Sequence, residues 1–264
     1  MQKRLVDIVV ISDVHLGTYG CNAKELLHYL QSINPKHLII NGDFIDGWQF
    51  SKRYFPTTHL LILKEVVKLM AFGCKIDYIT GNHDEFLRSF TDFDLSNFSI
   101  VNNLVIEIDN KKCWFFHGDI FDNTTKGSMK IIAKLGGYGY DLLILFNKLV
   151  NTTLRFFGKE KMSLSKKVKN GIKKAVSYVN DFEQTAATLA IEQKYDYVIC
   201  GHIHQPQQKE IVTEKGKTIY LNSGDWIENL TSLEYNNNQW KIFYYNESNV
   251  TIESKKSPAL KISV

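Results

Sequence analysis

Residues 8–17 read IVVISDVHLG: four consecutive β-branched residues, then Asp13 and His15 in a polar turn. A short apolar run closed by turn residues is the pattern of a strand buried on both faces. The same order returns four times. HLIIN (37–41) runs into GDFIDGW, with Asp43 and Asp46, and KIDYIT (75–80) into GNHDEF, with Asn82, His83 and Asp84. CWFFH (113–117) ends on His117, and YDYVIC (195–200) is followed by GHIHQP, with His202 and His204. Helical patterns at 23–33 and 58–72 separate the first runs. Strand–helix–strand alternation predicts an α/β layer architecture with parallel pairing.

The polar residues all stand at the carboxyl ends of apolar runs. In an open α/β sheet those ends converge on one crevice where ligands bind. On a strand, residues i and i+2 point the same way, so D-x-H and H-x-H can each aim two side chains into that crevice. Carboxylates and imidazoles crowded there would shift one another's pKa values, a conflict that divalent cations relieve. Asp13, His15, Asp43, Asn82, His117, His202 and His204 make seven mixed nitrogen and oxygen ligands, which suits two ions, with Asp43 able to give oxygen to both. Carboxylate, amide and imidazole ligands without thiolates favour Mn²⁺, Fe or Zn²⁺ over copper or iron–sulfur centres. A pair of such ions points to phosphate hydrolysis.

Each piece also has a purely structural reading. Asp43 could cap a helix, GNHD is good turn sequence, and His117 could be a satisfied core histidine. Five such pieces in series, each at a strand end, argue for a site.

The remaining features narrow the class. With 264 residues the chain is long enough for one large domain. Apolar content of 44% and charged content of 23% are those of a globular protein, and a net charge of +4 does not by itself call for nucleic acid. Cys21, Cys74, Cys113 and Cys200 are far apart with no C-x-x-C, which fits a reducing cytoplasm rather than a disulfide framework. The start shows no secretory signal. No run reaches the length of a membrane span: the nearest, 138–157, is interrupted by Asp141, Lys148 and Arg155. Short β-runs from Lys209 to Ile252 follow the last motif, with Asn236–Asn238 as a hairpin turn.

Residues 119–190 differ from the rest, with few β-signals. They are read as two to four helices, a cap inserted at approximately 120–190 into a single domain spanning 1–264. LLILFNKLVNTTLRFFG (142–158) has a broad apolar face, and residues 148–174 carry nine Lys or Arg against Glu160 alone. This fits peripheral contact with an anionic membrane, or a cap over acyl chains. It equally fits a core helix with a solvated basic face. Nucleic acid is not favoured, because aromatic residues are not interleaved through the Lys-rich part.

The blocks SDVHLG, NGDFID, GNHD, HGD and GHIH, in this order across 10–207, resemble the calcineurin-like metallophosphoesterases. The resemblance implies a four-layer α/β/β/α sandwich with a dinuclear centre at the strand ends. It implies one ion on Asp13, His15, Asp43 and His204, and the other on Asp43, Asn82, His117 and His202. His83 would be the catalytic histidine, oriented by Asp84, with attack in line on phosphorus by water activated between the ions. Asn82 and Arg88 are candidate substrate contacts, and a surface role fits Arg88 equally.

Within the family, DVHLG, NGDFIDGW with Trp48, GNHDEFLR and the insertion before GHIHQP are similar to the UDP-2,3-diacylglucosamine diphosphatases of lipid A synthesis. Those enzymes release UMP and a diacylglucosamine 1-phosphate, so the implied partner is a nucleotide-linked glycolipid at the inner membrane. The best-known members of that branch carry Arg where this chain has His83. Two alternatives stay open: a metallophosphoesterase acting on another phosphodiester or nucleotide, and a binding scaffold without catalysis. The sequence assigns no oligomeric state.

Overall fold

The computed structural model describes residues 3–49, 54–91, 93–123 and 166–246, with side chains described from Tyr178 onward in the helix that opens the last segment. Strand β1 (Arg4–Ile11) is followed by α1 (Ala23–Ser32), β2 (Ile33–Asn41), α2 (Thr57–Ala71) and β3 (Lys75–Ile79). Three short strands come next: β4 (Phe93–Leu95), β5 (Phe98–Val101) and β6 (Asn103–Ile108). After them come β7 (Lys111–Phe116), helix α3 (Lys166–Glu192), β8 (Tyr197–Cys200), β9 (Gln207–Thr213), β10 (Gly216–Asn222), β11 (Thr231–Asn236) and β12 (Gln239–Tyr244).

The expected strand ends do not share one open sheet. A seven-stranded sheet has the order β12-β11-β1-β2-β3-β5-β4, and a five-stranded sheet the order β6-β7-β8-β10-β9. The parallel pairs predicted for the motif strands are present: β1 with β2, β2 with β3, and β7 with β8. Alternation along β1 shows why two sheets must stack. Val9 and Ile11 join the cluster of α1 and α2, which includes Leu26, Leu30 and Ile62, whereas Ile8 and Val10 join a second cluster with Cys113, Phe115 and Ile199 of the other sheet. A third cluster packs Val198, Cys200 and Tyr220 against Phe182, Ala186, Ala187 and Ala190 of α3. Three apolar interfaces make four layers, α/β/β/α. Both faces of β1 are buried, and each fully buried Val or Ile there contributes on the order of 1.5–3 kcal/mol.

The motif strands end level with one another. Ile11 lies opposite Ile40, Asn41 opposite Ile79, and Phe115 opposite Ile199. Five loops therefore leave the sandwich along one edge, at the seam between the sheets. Strands β4 to β6 are not evident as buried runs because their burial is slight or alternating. The hairpin at the asparagines forms as expected: Asn237 and Asn238 have φ of 50° and 60°, as a two-residue type I′ turn requires.

The four cysteines are thiols. Burial pushes Cys113 up to about 12 and Cys74 up to about 11, so both behave as small apolar residues. No helix among the described residues is long and apolar enough to cross a membrane. Most of the cap reading, including 142–158, falls outside the described residues; within them its region contributes α3.

Candidate metal centre

The first two loops are laced together along their backbones. Asp13 N–H donates to Gly42 O at 3.1 Å, His15 N–H to Asp43 O at 2.9 Å, and Asp46 N–H to Leu16 O at 3.0 Å. Both motifs lie beyond the strands, because β1 stops at Ile11 and β8 at Cys200. Strand alternation therefore does not aim D-x-H and H-x-H. Left-handed turns do: φ is 51° at Asp13, 53° at His15, 51° at Asp43, 68° at His202 and 54° at His204. Such angles are uncommon outside glycine and collect where function holds the backbone under strain.

Glycines admit the close approach of these loops. A Cβ on Gly81 would stand 2.2 Å from Asp43 Oδ1, and one on Gly42, whose φ is +83°, would stand 2.3 Å from His117 Nδ1. The third loop is clamped by Asp84, which is fully buried. Its carboxylate accepts from Gly81 N at 2.6 Å, Tyr78 OH at 2.6 Å and Phe44 N at 2.9 Å, joining the third loop to the second. The carboxylate that meets His83 is not Asp84 but Asp46, whose Oδ2 is 2.8 Å from His83 Nδ1. Asp84 is occupied by the main-chain amides of Gly81 and Phe44 and the hydroxyl of Tyr78. The indole of Trp48 lies against the His83 ring, with centroids 4.1 Å apart.

Six of the seven expected metal ligands fall into overlapping groups of potential donor atoms: Asp13, His15 and His204; His15, Asp43 and His83; and Asp43, His117 and His202. Asp43 connects them. Its Oδ2 is 3.2 Å from His117 Nε2 and 3.9 Å from His15 Nε2, while its Oδ1 accepts from His83 N at 2.8 Å. Asn82, the seventh, is on the clamped loop. Four buried atoms from three loops, Asp13 Oδ1, His15 Nε2, Asn82 Oδ1 and His117 Nε2, have no hydrogen-bond partner among the described residues. Leaving such atoms unpaired is costly, and cations satisfy oxygen and imidazole acceptors together. The residues fit divalent metal.

The imidazoles are oriented in keeping with that fit. His117 Nδ1 is 2.9 Å from Asn41 O, His15 Nδ1 is 3.1 Å from Asp46 Oδ2, and His204 Nδ1 is 3.5 Å from Asp225 Oδ2. An acceptor at Nδ1 selects the tautomer whose Nε2 lone pair faces the cluster. Charge is balanced in the same way. Burial works to raise the Asp43 pKa, but the facing His117, His15 and His83 rings hold it well below the carboxylate range. Burial disfavours the His204 imidazolium, yet Asp13 and Asp225 bring its pKa up to about 9.

Arg88 is at the rim. Its guanidinium donates to Asp119 and, at 3.4 Å, to Gly81 O. Three contributors were not assigned from the sequence. Asp46 was visible in NGDFID but had no evident task, Asp225 acts only through His204, and Asn41 acts through its carbonyl, which no side-chain pattern reveals.

The family model described as calcineurin-like phosphoesterase matches residues 6–206. A UDP-2,3-diacylglucosamine hydrolase of Aliivibrio fischeri is 22% identical over 234 residues, covering 86% of this chain and 94% of that protein. One of Blochmanniella pennsylvanica is 25% identical over 214 residues, covering 80% of this chain and 84% of that protein. Among solved structures, a dimetal phosphatase from Danio rerio is 11% identical with a TM-score of 0.43, covering 90% of this chain and 95% of that one.

Proposed function

The chain belongs to the calcineurin-like phosphoesterase family and is a metal-dependent phosphoester hydrolase; on that premise we propose that its substrate is UDP-2,3-diacylglucosamine. Water adds across the pyrophosphate, one bridging P–O bond breaks, and UMP and 2,3-diacylglucosamine 1-phosphate leave. Similarity to hydrolases of that name over nearly their whole length supports the substrate. The chemistry is supported by the unpaired donor atoms that three loops turn toward one another.

Asp13, His15, Asp43 and His204 would hold one divalent ion, and Asp43, Asn82, His117 and His202 the other, with Mn²⁺ the preferred metal. When bound, such a pair polarises phosphoryl oxygens and makes water a nucleophile at neutral pH. His83, braced by Asp46 at Nδ1 and covered by Trp48, presents its other nitrogen to a phosphoryl or leaving oxygen. Asp84 fixes the loop that carries Asn82 and His83. Arg88, with a side chain 39% exposed and anchored on Asp119, offers a guanidinium to a substrate phosphate.

We further propose one catalytic domain with a cap at approximately 120–190, whose basic stretch brings the enzyme to the anionic inner leaflet from the cytoplasm. The test is product analysis with Mn²⁺-loaded protein and UDP-2,3-diacylglucosamine in detergent micelles, with EDTA as control. EDTA-sensitive release of UMP is expected. Turnover of a generic aryl phosphodiester without release of UMP would leave the hydrolase and reject this substrate. That second reading, another phosphodiester, is favoured by His83 itself, since a histidine can protonate an alkoxide leaving group that a pyrophosphate does not produce.

A further inference from the structure

His204 is the candidate ligand whose support comes from outside the five motif loops. Asp225, in the turn after β10, has no exposed surface. Its Oδ1 accepts from three successive main-chain amides, Ile227 at 2.8 Å, Glu228 at 2.6 Å and Asn229 at 3.0 Å. That oxygen is fully used by its own turn. Oδ2 accepts from Asn229 Nδ2 at 2.7 Å and lies 3.5 Å from His204 Nδ1. The same Asn229 amide donates to His204 O at 2.7 Å, so one side chain grips both the histidine's main chain and the carboxylate behind its ring. On its other side the His204 ring presents Nε2 3.3 Å from Asp13 Oδ1, an atom left without a hydrogen bond among the described residues. Asp13 is tied to the same turn, since Trp226 N–H donates to Asp13 O at 3.2 Å.

We propose that Asp225, with Asn229, is a positioning residue that sets the ring orientation of His204 and thereby the metal affinity of the Asp13–His15–His204 pocket alone. The inference rests on the metal-site reading given above. The other pocket has independent supports: His117 is held by Asn41 O at 2.9 Å, and the Asn82 loop by Asp84. A carboxylate behind a ligating imidazole typically changes metal affinity by about 10–100-fold when removed. Asp225→Asn is the informative change, because it keeps an oxygen for the three amides and replaces the acceptor that faces His204.

Metal-free protein titrated with Mn²⁺, with free ion read by electron paramagnetic resonance, resolves the binding steps. The wild type is expected to take two ions. In Asp225→Asn one step should weaken by about 10–100-fold and the other should not move. His204→Ala should weaken the same step, and the double variant should be no worse than His204→Ala, since residues that act as a unit are not additive. Equal weakening of both steps, no weakening, or full additivity would overturn the proposal. If Asp225→Asn does not fold, the exposed Asn229→Ala must weaken the same single step, and failure to do so is equally decisive. A wild type that takes fewer than two ions would instead overturn the metal-site reading, and this inference with it.

Discussion

Asp46 Oδ2 lies 2.8 Å from His83 Nδ1, and the other oxygen of the same carboxylate accepts the main-chain amides of Trp48 and Gln49 at 3.0 and 2.8 Å. His83 is thus held by a side chain that is itself fixed by its own turn. Oδ2 also reaches His15 Nδ1 at 3.1 Å, so one carboxylate serves an expected metal ligand and the expected catalytic histidine.

Asp46→Asn should therefore damage two functions at once. Turnover is expected to fall by about 10–100-fold with a parallel loss of metal affinity. Steady-state kinetics across a Mn²⁺ series checks this. A variant that kept wild-type kinetics at every metal concentration would remove Asp46 from the site.

His83→Ala should separate catalysis from metal binding. A loss of about 10²–10⁴ in kcat is expected, with two ions still bound per chain by elemental analysis. Undiminished turnover would reject His83 as the group at the leaving oxygen.

Asp43→Asn should weaken both ions, because Asp43 Oδ2 sits between the imidazoles of His117 and His15. Equilibrium dialysis is expected to return well under two ions per chain. Two ions held as tightly as in the wild type would contradict a shared carboxylate.

Gly81→Ala places a Cβ 2.2 Å from Asp43 Oδ1 and 2.7 Å from Asp43 N. The loops must separate, at a cost of about 1–3 kcal/mol. Lower thermal stability together with loss of metal-dependent activity is expected; an active variant of unchanged Tm would show that the loops approach less closely.

Away from the site, Asp77 should contribute to acid stability. Burial tends to raise its pKa, but His37 at 2.6 Å, Ser99 and Lys75 bring it down to about 2. The folded pKa is below the unfolded value of about 3.9. The stabilisation is therefore present above about pH 4, amounts to about 2 kcal/mol, and is lost as pH falls toward 2. Urea midpoints should show Asp77→Asn less stable than wild type at pH 7, with the gap closing near pH 2. A gap independent of pH would reject the role of the ionised carboxylate.

The strands that carry the motifs were legible from residue type. IVVI, HLII and YVIC became β1, β2 and β8, because short apolar runs rich in Val and Ile and closed by turn residues favour strands buried on both faces. The candidate donors Asp13, His15, Asp43, His117, His202 and His204, which the fold gathers into overlapping groups, were legible as well, since carboxylates and imidazoles at strand ends need a cation or a partner. The stacking of two sheets was not apparent in any single run; it follows from the alternation of β1 between two clusters.

Local sequence determined which residues have the chemistry to act. Tertiary structure decided how they are aimed and held. Left-handed turns, not strand alternation, direct the D-x-H and H-x-H pairs. Asp46 rather than Asp84 braces His83, although Asp84 is its neighbour in the chain, because the Asp84 carboxylate is spent on Gly81, Phe44 and Tyr78. Asp225 reaches His204 from 21 residues away in the chain, across a turn that only the folded sandwich brings near. Ligand identity is a property of the side chain, but orientation depends on hydrogen-bond partners distant in sequence, and no local pattern specifies those.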